Sequence, residues 1–234
     1  MQVIKALNAA ARPRNVRVSL IEPQLEACYS GMVPGCVAGL YDAHEAQIQL
    51  EPLAKWASIE FLRTRVLDVD PVAREVRCAD GTTLRYDALS LDIGSCTRGA
   101  QAVPGVAEHA ICSRPISALL ARVEAAERGF LALPEEDAIR AVVVGGGAAG
   151  IELALALRAR WGRRGGAAGA QWLTVTLLDS GAELLSHEAP ACRAAVRDAL
   201  REREVQVEHG CEVRAVRADA VELAEGDPRR EIGR

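Results

Sequence analysis

The alternation of apolar and polar residues is most regular in the middle of the chain. Residues 138–144, AIRAVVV, form an apolar run rich in valine, which is typical of a parallel strand buried on both faces of a sheet. Residues 145–150, GGGAAG, follow directly, and residues 151–157 supply a largely apolar helix. The pattern therefore predicts a strand, a glycine turn and a helix in immediate succession.

A second strand is predicted at residues 173–179, LTVTLLD, which end in Asp179. Asp179 lies 29 residues beyond Gly150, whereas an acid about 20 residues after the turn is typical of dinucleotide-binding units. The intervening segment GRRGGAAGAQ, residues 162–171, is rich in glycine and alanine. We interpret it as an inserted loop that accounts for the extra length.

The glycine turn has the spacing that a dinucleotide requires. Gly145, Gly147 and Gly150 fit the pattern G-x-G-x-x-G. In this pattern the first glycine permits the tight turn, the second admits the pyrophosphate and the third lets helix and strand pack closely. The N–H groups at the helix start then face the phosphates, and Gly146 and Ala149 belong to the same predicted cradle. The alternative is a unit of the same pattern that binds no ligand.

Asp179 indicates which dinucleotide binds. A carboxylate at the end of this strand accepts hydrogen bonds from the hydroxyls of the adenosine ribose. The residues that follow, Ser-Gly-Ala at 180–182, offer no arginine or lysine for a 2′-phosphate. The sequence therefore favours NAD over NADP.

The first half of the chain repeats this pattern. The strand VRVSLIE, residues 16–22, matches LTVTLLD in polarity position by position and also ends in an acid, Glu22. Each of these strands is followed by a group of short predicted strands, at residues 59–95 and 205–227. In the first group, DPVA and ADG are the predicted turns. The repetition predicts the α/β fold class, with two Rossmann-like doubly wound units and small antiparallel β-meanders. The predicted domains are residues 1–108 and 109–234.

The first unit is expected to be incomplete. By analogy with the second half, residues 2–13 are the helix that should follow a glycine turn, yet the chain begins there. We therefore expect the first strand and its turn to be missing, which exposes unpaired backbone on the neighbouring strands. The interpretation is a truncated or mis-started chain, or one whose gap a partner fills.

Composition excludes several classes of partner. The 234 residues include 28 Lys and Arg against 32 Asp and Glu, which gives a net charge of −4 and no field that favours nucleic acid. The sequence has no stretch of about 18 uninterrupted apolar residues, and its first residues lack the features of a secretory signal. We expect a soluble, cytoplasmic protein without an integral membrane segment.

The cysteines and histidines do not predict a metal centre. The seven cysteines are odd in number and lack CxxC spacing, which argues against a disulfide framework and a zinc site. Cys28 and Cys36 are the one close pair, and a redox role for them is the weaker alternative. The histidines are far apart in sequence, and we expect each to be a surface or hydrogen-bonded polar residue. They stand at positions 44, 109, 187 and 209.

Several segments together resemble a known family. The paired units, with CYSGMVPGCVAGLYD at residues 28–42, YDALSLDIGS at 86–95 and VPGVAEHA at 103–110, resemble the FAD-dependent pyridine nucleotide oxidoreductases. The resemblance is closest to the NADH-dehydrogenase-like flavoprotein module that some proteins fuse to selenide, water dikinase. It implies the FAD/NAD(P)-binding fold and two cofactors, FAD and NAD(H).

The resemblance also implies where FAD would bind. Glu22 would hold the adenosine ribose of FAD, and the loop YSGMVPG would lie near the flavin ring, with Ser30, Gly31 and Pro34 as its contacts. The chain ends before the family's later Gly-Asp segment, which contacts the flavin ribityl chain. We therefore expect it to keep its NADH site better than its FAD site.

Three further residues have roles that the resemblance implies. Gly94 and Ser95 belong to DIGS, which is similar to the family's Ala-Thr-Gly segment near the cofactor, although Asp92 and Ile93 depart from the common residues. Glu152 occupies the family's acidic position near the nicotinamide. An exposed helix carboxylate is the alternative interpretation of Glu152.

The implied function is hydride transfer from NADH to flavin, with a small-molecule electron acceptor that the sequence leaves unspecified. A disulfide substrate is not expected, because the chain has no C-x₄-C or CxxC pair. The alternatives are a non-enzymatic dinucleotide-binding module and a degenerate fragment. A homo-oligomer is compatible with the sequence.

Overall fold

The computed structural model describes residues 2–97, 99–134, 137–163, 172–224 and 231–232, which form a mixed α/β fold. The α-helices are α1 Gln2–Ala6, α2 Val33–Val37, α3 Leu50–Ala57, α4 Val106–His109, α5 Ile116–Leu131, α6 Ala148–Gly162 and α7 Pro190–Glu202. The strands are β1 Ser19–Ile21, β2 Glu26–Cys28, β3 Gln47–Gln49, β4 Glu60–Leu62, β5 Val66–Asp70, β6 Glu75–Cys78, β7 Thr83–Arg85, β8 Ile139–Val144, β9 Leu173–Leu178, β10 Val205–Glu208, β11 Val213–Val216, β12 Val221–Leu223 and β13 Glu231–Ile232. Short 3-10 helices span Ser30–Met32 and Ala43–Ala46.

The chain divides into two compact units. The first comprises Met1–Tyr29 and Ala46–Gly94, and the second comprises Ser30–Glu45 and Ser95–Arg234. Each unit has parallel strands followed by an antiparallel β-meander, so the predicted fold class is confirmed. The domain boundary predicted at residue 108 stays a prediction.

The first unit contains a parallel pair of strands, β1 and β4. The strands β5, β6 and β7 form the antiparallel meander that the alternating pattern predicts, and β2 pairs with β3 in a separate hairpin.

The predicted turns of this meander lie where expected. Asp70 starts the first turn, and its carboxylate accepts the N–H groups of Val72 and Ala73 at 2.9 and 2.8 Å. These two hydrogen bonds stabilise the charged form and lower the pKa of Asp70.

The helix predicted at residues 2–13 is shorter than expected. In the structure α1 ends at Ala6, and the Asn8 amide donates to the Lys5 carbonyl at 2.6 Å. The same side chain accepts the N–H of Ala10 at 2.9 Å. Asparagine thereby offers the backbone an alternative to helical hydrogen bonds, which ends the helix. The prediction was wrong beyond Ala6 because it followed the analogy with the second half of the chain and overlooked this capping residue.

The second unit is built on the parallel sheet β10-β9-β8. The predicted strands at 138–144 and 173–179 correspond to β8 and β9. The central strand β9 is buried, with Val175 and Leu177 fully inaccessible. In contrast β8, predicted to be buried on both faces, is only half-buried and exposes Val144, because within the described residues it lies at the sheet edge.

Helices α5 and α6 are joined by a partly buried ion pair. The Arg160 guanidinium donates to both carboxylate oxygens of Glu127, with N···O distances of 2.6 to 3.0 Å. Hydrogen bonding to this carboxylate raises the pKa of Arg160. Arg160 also lies 3.5 Å from the Cys36 carbonyl, and Arg163 donates to the Ala38 carbonyl at 2.6 Å. The end of α6 therefore fixes the C-terminal end of α2.

Part of one sequence prediction lies outside the described residues. The segment 162–171 was interpreted as an inserted loop, and Gly162 ends α6 in the structure. Residues 164–171 are not among those described. Within the described part of the chain, no helix is both long and apolar enough to cross a membrane.

Candidate functional site

The glycine turn between β8 and α6 depends on Gly145. Its φ of +114° lies in a region that side-chain-bearing residues rarely adopt. Its N–H donates to the Leu178 carbonyl at 2.8 Å, which joins the end of β8 to the end of β9. The chain can therefore leave the sheet abruptly and start a helix.

Two further glycines allow the turn to pack closely. A Cβ on Gly150 would lie 1.8 Å from the Gly145 carbonyl oxygen, so only glycine fits where α6 meets the strand end. A Cβ on Gly146 would lie 2.5 Å from both Asp179 Cγ and Leu184 Cδ2. Gly150 therefore meets the packing need that the sequence pattern predicts, and Gly146 lets the Asp179 side chain pass over the turn.

Gly147 differs from these glycines because open space surrounds it. It is the N-cap of α6 with φ −76° and ψ 174°, and a Cβ here would meet no atom within 4 Å. Ala148 and Ala149 are exposed in the first turn, and the helix start has no side-chain cap. Free N–H groups beside open space at a helix N-terminus suit an anion. The residues present therefore fit the diphosphate of NAD(H).

Asp179 lies next to this turn. Its backbone N–H donates to the Glu208 carbonyl at 2.9 Å, and its carbonyl accepts the N–H of Cys211 at 2.8 Å. The carboxylate is mostly buried, with 16% of the side chain exposed, and its Oδ2 lies 4.0 Å from Nδ1 of His209. The structure thus brings together Asp179 and the glycine turn. No sequence motif marks His209 as a site residue. The one signal is its position directly after a strand, which it shares with Asp179.

Glu152 lies on the exposed side of α6 near its start. Its neighbour Ile151 is buried and faces the core. An exposed carboxylate at this position agrees with both interpretations, a residue near the nicotinamide and a solvated helix residue. Its role stays a prediction.

The residues predicted to contact FAD belong to different units. Glu22 and Gly94 lie in the first, whereas Ser30, Gly31, Pro34 and Ser95 lie in the second. Glu22 directly follows β1, and its Oε1 accepts the N–H of Gln24 at 3.1 Å. Gly94 has a φ of +71° with open space at its Cβ position, so the chain turns there in a way that favours glycine.

The loop predicted near the flavin ring is a 3-10 helix followed by α2. Ser30 and Gly31 are exposed in the 3-10 helix, and Pro34 lies in the first turn of α2. The sequence interpretation missed the role of Gly35. A Cβ there would lie 2.1 Å from the Tyr41 hydroxyl, so Gly35 makes room for that ring.

The fit to FAD is partial. Glu22 stands after β1 as Asp179 stands after β9, which suits a ribose. Residues 1–30 contain no glycine, so a phosphate-binding turn like that at 145–150 is not formed there.

The described residues include all seven cysteines, and no disulfide joins any of them. Partial burial, with a smaller effect of the nearby Glu26 carboxylate, raises the pKa of Cys28. A raised pKa lowers the thiolate fraction, which disfavours the redox role considered for this residue. Among the described residues, no group of three or more His, Cys, Asp or Glu is arranged to hold a metal ion.

The fold and this site define an α/β protein of the dinucleotide-binding class. Comparison with protein families identifies it further. The family described as pyridine nucleotide-disulphide oxidoreductase matches residues 4–232, and the chain belongs to that family. Its members are oxidoreductases that bind FAD and NAD(P)H, so the two cofactors implied by the sequence are those of the family.

Solved structures share the fold. The sulfide:quinone oxidoreductase from the hyperthermophilic bacterium Aquifex aeolicus is 22% identical, covers 99% of this chain and 54% of its own, and has a TM-score of 0.78. NDH2 from Plasmodium falciparum, in complex with NADH, is 14% identical over 94% of this chain and 49% of its own, with a TM-score of 0.76. The water-forming NADH oxidase from Lactobacillus brevis, bound to NADH, is 20% identical over 98% and 48%, with a TM-score of 0.67.

The chain spans about half the length of these structures. At such low identities the likeness establishes the fold alone. No curated protein sequence matches the chain. The comparisons give no support to the closer resemblance to the module fused to selenide, water dikinase.

Proposed function

We propose that this chain forms the NADH-binding part of an FAD-dependent NAD(P)H oxidoreductase that passes a hydride from NADH to flavin. One observation carries the proposal. The open helix start at Gly147 and the acid Asp179 lie at the same edge of one sheet, since Val144 and Leu178 pair in register immediately before the turn and the acid. A diphosphate and an adenosine ribose would contact these two positions.

Each residue of the site has one task in this proposal. The N–H groups that follow Gly147 bind the diphosphate, and the absence of a side chain at that position leaves room for it. Asp179 accepts hydrogen bonds from the ribose hydroxyls, and Gly150 lets α6 begin close to the sheet. When bound, NADH supplies a hydride for which the flavin is the acceptor. Glu152 is proposed to lie near the nicotinamide.

The comparisons support the proposal but leave the electron acceptor open. One of the similar solved structures is a sulfide:quinone oxidoreductase and another is a water-forming NADH oxidase. Proteins with this fold therefore use different electron acceptors. We propose a small-molecule acceptor without specifying it. A cytoplasmic location and assembly as a homo-oligomer also stay proposals.

A non-enzymatic dinucleotide-binding module is the second candidate. It is favoured by the cradle at 145–150, whose open helix start suits the binding of a dinucleotide without any further reaction. Both candidates predict NADH binding. Reduction of an artificial dye by NADH after addition of FAD supports the oxidoreductase, whereas NADH binding without dye reduction supports the module.

The binding test compares NADH with NADPH by equilibrium titration of the unmodified chain. NADH should bind at least about tenfold more tightly, because a 2′-phosphate places negative charge against Asp179. Asp179→Asn should weaken NADH binding and reduce the preference, whereas Asp198→Asn, a matched change at an exposed acid of α7, should alter neither. Equal or tighter binding of NADPH contradicts the role of Asp179, and absence of NADH binding contradicts the proposal.

A further inference from the structure

His209 holds the same position on β10 that Asp179 holds on β9. The parallel register pairs Leu178 with Glu208, and these are the last residues of the two strands. Asp179 and His209 therefore leave the sheet side by side at its carboxyl edge. Because ligands of open parallel sheets bind at this edge, His209 lies within reach of the proposed ribose position.

Backbone hydrogen bonds fix the turn that carries His209. Asp179 N–H donates to the Glu208 carbonyl at 2.9 Å, and Cys211 N–H donates to the Asp179 carbonyl at 2.8 Å. Gly210 N–H donates to the Gly181 carbonyl at 3.0 Å, and the φ of +68° at Gly210 allows the sharp reversal. The two segments cannot separate without breaking these bonds, so the side chains they carry stay adjacent.

The Asp179 carboxylate lies close to both the glycine turn and His209. Its Cγ would be 2.5 Å from a Cβ on Gly146, and its Oδ2 is 4.0 Å from His209 Nδ1. The imidazole is 37% exposed and also lines a groove of about 420 Å³ that contains the buried Leu184 and Leu200. His209 therefore lies beside the carboxylate, while part of its ring stays exposed to solvent.

We infer that His209 is a positioning residue for the dinucleotide site, which orients the Asp179 carboxylate toward the adenosine ribose. The inference rests on the proposed function. The χ2 angle of aspartate, which sets the orientation of the carboxylate, has a broad distribution and is poorly fixed by steric contacts alone. The polar edge of the imidazole lies 4.0 Å from Oδ2, which is longer than a direct hydrogen bond. Its electrostatic interaction with this oxygen favours one orientation of the carboxylate, which leaves the second carboxylate oxygen for a ribose hydroxyl. NADH affinity should therefore depend on His209 only while Asp179 is present.

A double-mutant cycle tests this dependence. NADH affinity is measured for the unmodified chain, His209→Leu, Asp179→Ala and the double variant, with the melting temperature of each. His209→Leu should weaken NADH binding about fivefold in the unmodified background and less than about twofold beside Asp179→Ala. His209→Asn, which keeps a nitrogen near the Nδ1 position, should stay within about twofold of the unmodified chain. His187→Leu is the matched control, because His187 is an exposed histidine in the segment before α7. This substitution should leave the NADH affinity unchanged.

The outcomes separate this inference from the proposed function. Unchanged NADH affinity in His209→Leu overturns the inference, and so does an equal loss in both backgrounds, which is the signature of a merely structural role. If His209→Leu does not fold, a fivefold loss in folded His209→Asn likewise contradicts it. Absence of NADH binding by the unmodified chain overturns the proposed function and the inference together.

Discussion

At the level of single residues, the glycines of the turn divide into two kinds according to what a Cβ would meet. At Gly150 the Cβ would strike the Gly145 carbonyl oxygen, so this glycine serves packing. At Gly147 the Cβ would meet no atom, and the backbone conformation there is open to any residue. The fold therefore does not require Gly147, whereas the proposed diphosphate does.

This contrast predicts opposite behaviour for two substitutions in one turn. Gly147→Val should weaken NADH binding by about tenfold or more, because its side chain occupies the proposed diphosphate position, while the melting temperature changes little. Gly150→Ala should lower the free energy of unfolding by roughly 1–3 kcal/mol, because the added methyl forces helix and strand apart. Calorimetric titration and thermal melts of both variants check the prediction. A large loss of stability in Gly147→Val, or full NADH affinity in that variant, contradicts it.

At the level of elements, α6 is held at both of its ends. Its N-terminus meets the glycine turn, and near its C-terminus the Arg160 guanidinium pairs with Glu127 of α5, with 17% and 24% of the two side chains exposed. An ion pair removed this far from water, with several well-placed hydrogen bonds, contributes more than a surface pair. The pair therefore helps to fix the helix whose first turn forms the proposed site.

Removing one partner of this pair should destabilise the second unit. Glu127→Gln leaves a partly buried guanidinium without its counter-charge and should lower the free energy of unfolding by about 1–3 kcal/mol. Asp198→Asn breaks the exposed pair with Arg201 and should cost less than about 1 kcal/mol. Denaturant unfolding of both variants gives the comparison. Equal effects of the two substitutions would show that burial does not strengthen the Arg160 pair.

The sequence predicts elements best where local signals decide them. The turn at Gly145, helix α6 and strand β9 follow from glycine spacing and apolar periodicity. Strand β9 ends one residue before its predicted end, and α6 contains the predicted residues 151–157 but extends from Ala148 to Gly162. The half-exposed state of β8 could not be predicted, because it depends on which strands flank it. Likewise the contact of Asp179 with His209 joins strand ends that are far apart in sequence, and no local pattern marks it.

At the level of the whole molecule, the two units share a local construction that supports their predicted kinship. In the first, the N–H of Glu22 donates to the carbonyl of Leu62, the last residue of β4, at 3.2 Å. In the second, the N–H of Asp179 donates to the carbonyl of Glu208, the last residue of β10, at 2.9 Å. Each acid thus follows one parallel strand and is bonded to the end of the next. This agrees with the family, whose members bind two cofactors.

The most direct test of the central claim is a crystal structure of the chain with NADH. The diphosphate oxygens should lie about 2.7–3.2 Å from the backbone nitrogens at the start of α6, next to Gly147. The adenosine ribose hydroxyls should lie at the same distance from the Asp179 carboxylate. A dinucleotide bound elsewhere, or a turn filled by neighbouring side chains in the complex, would contradict the account.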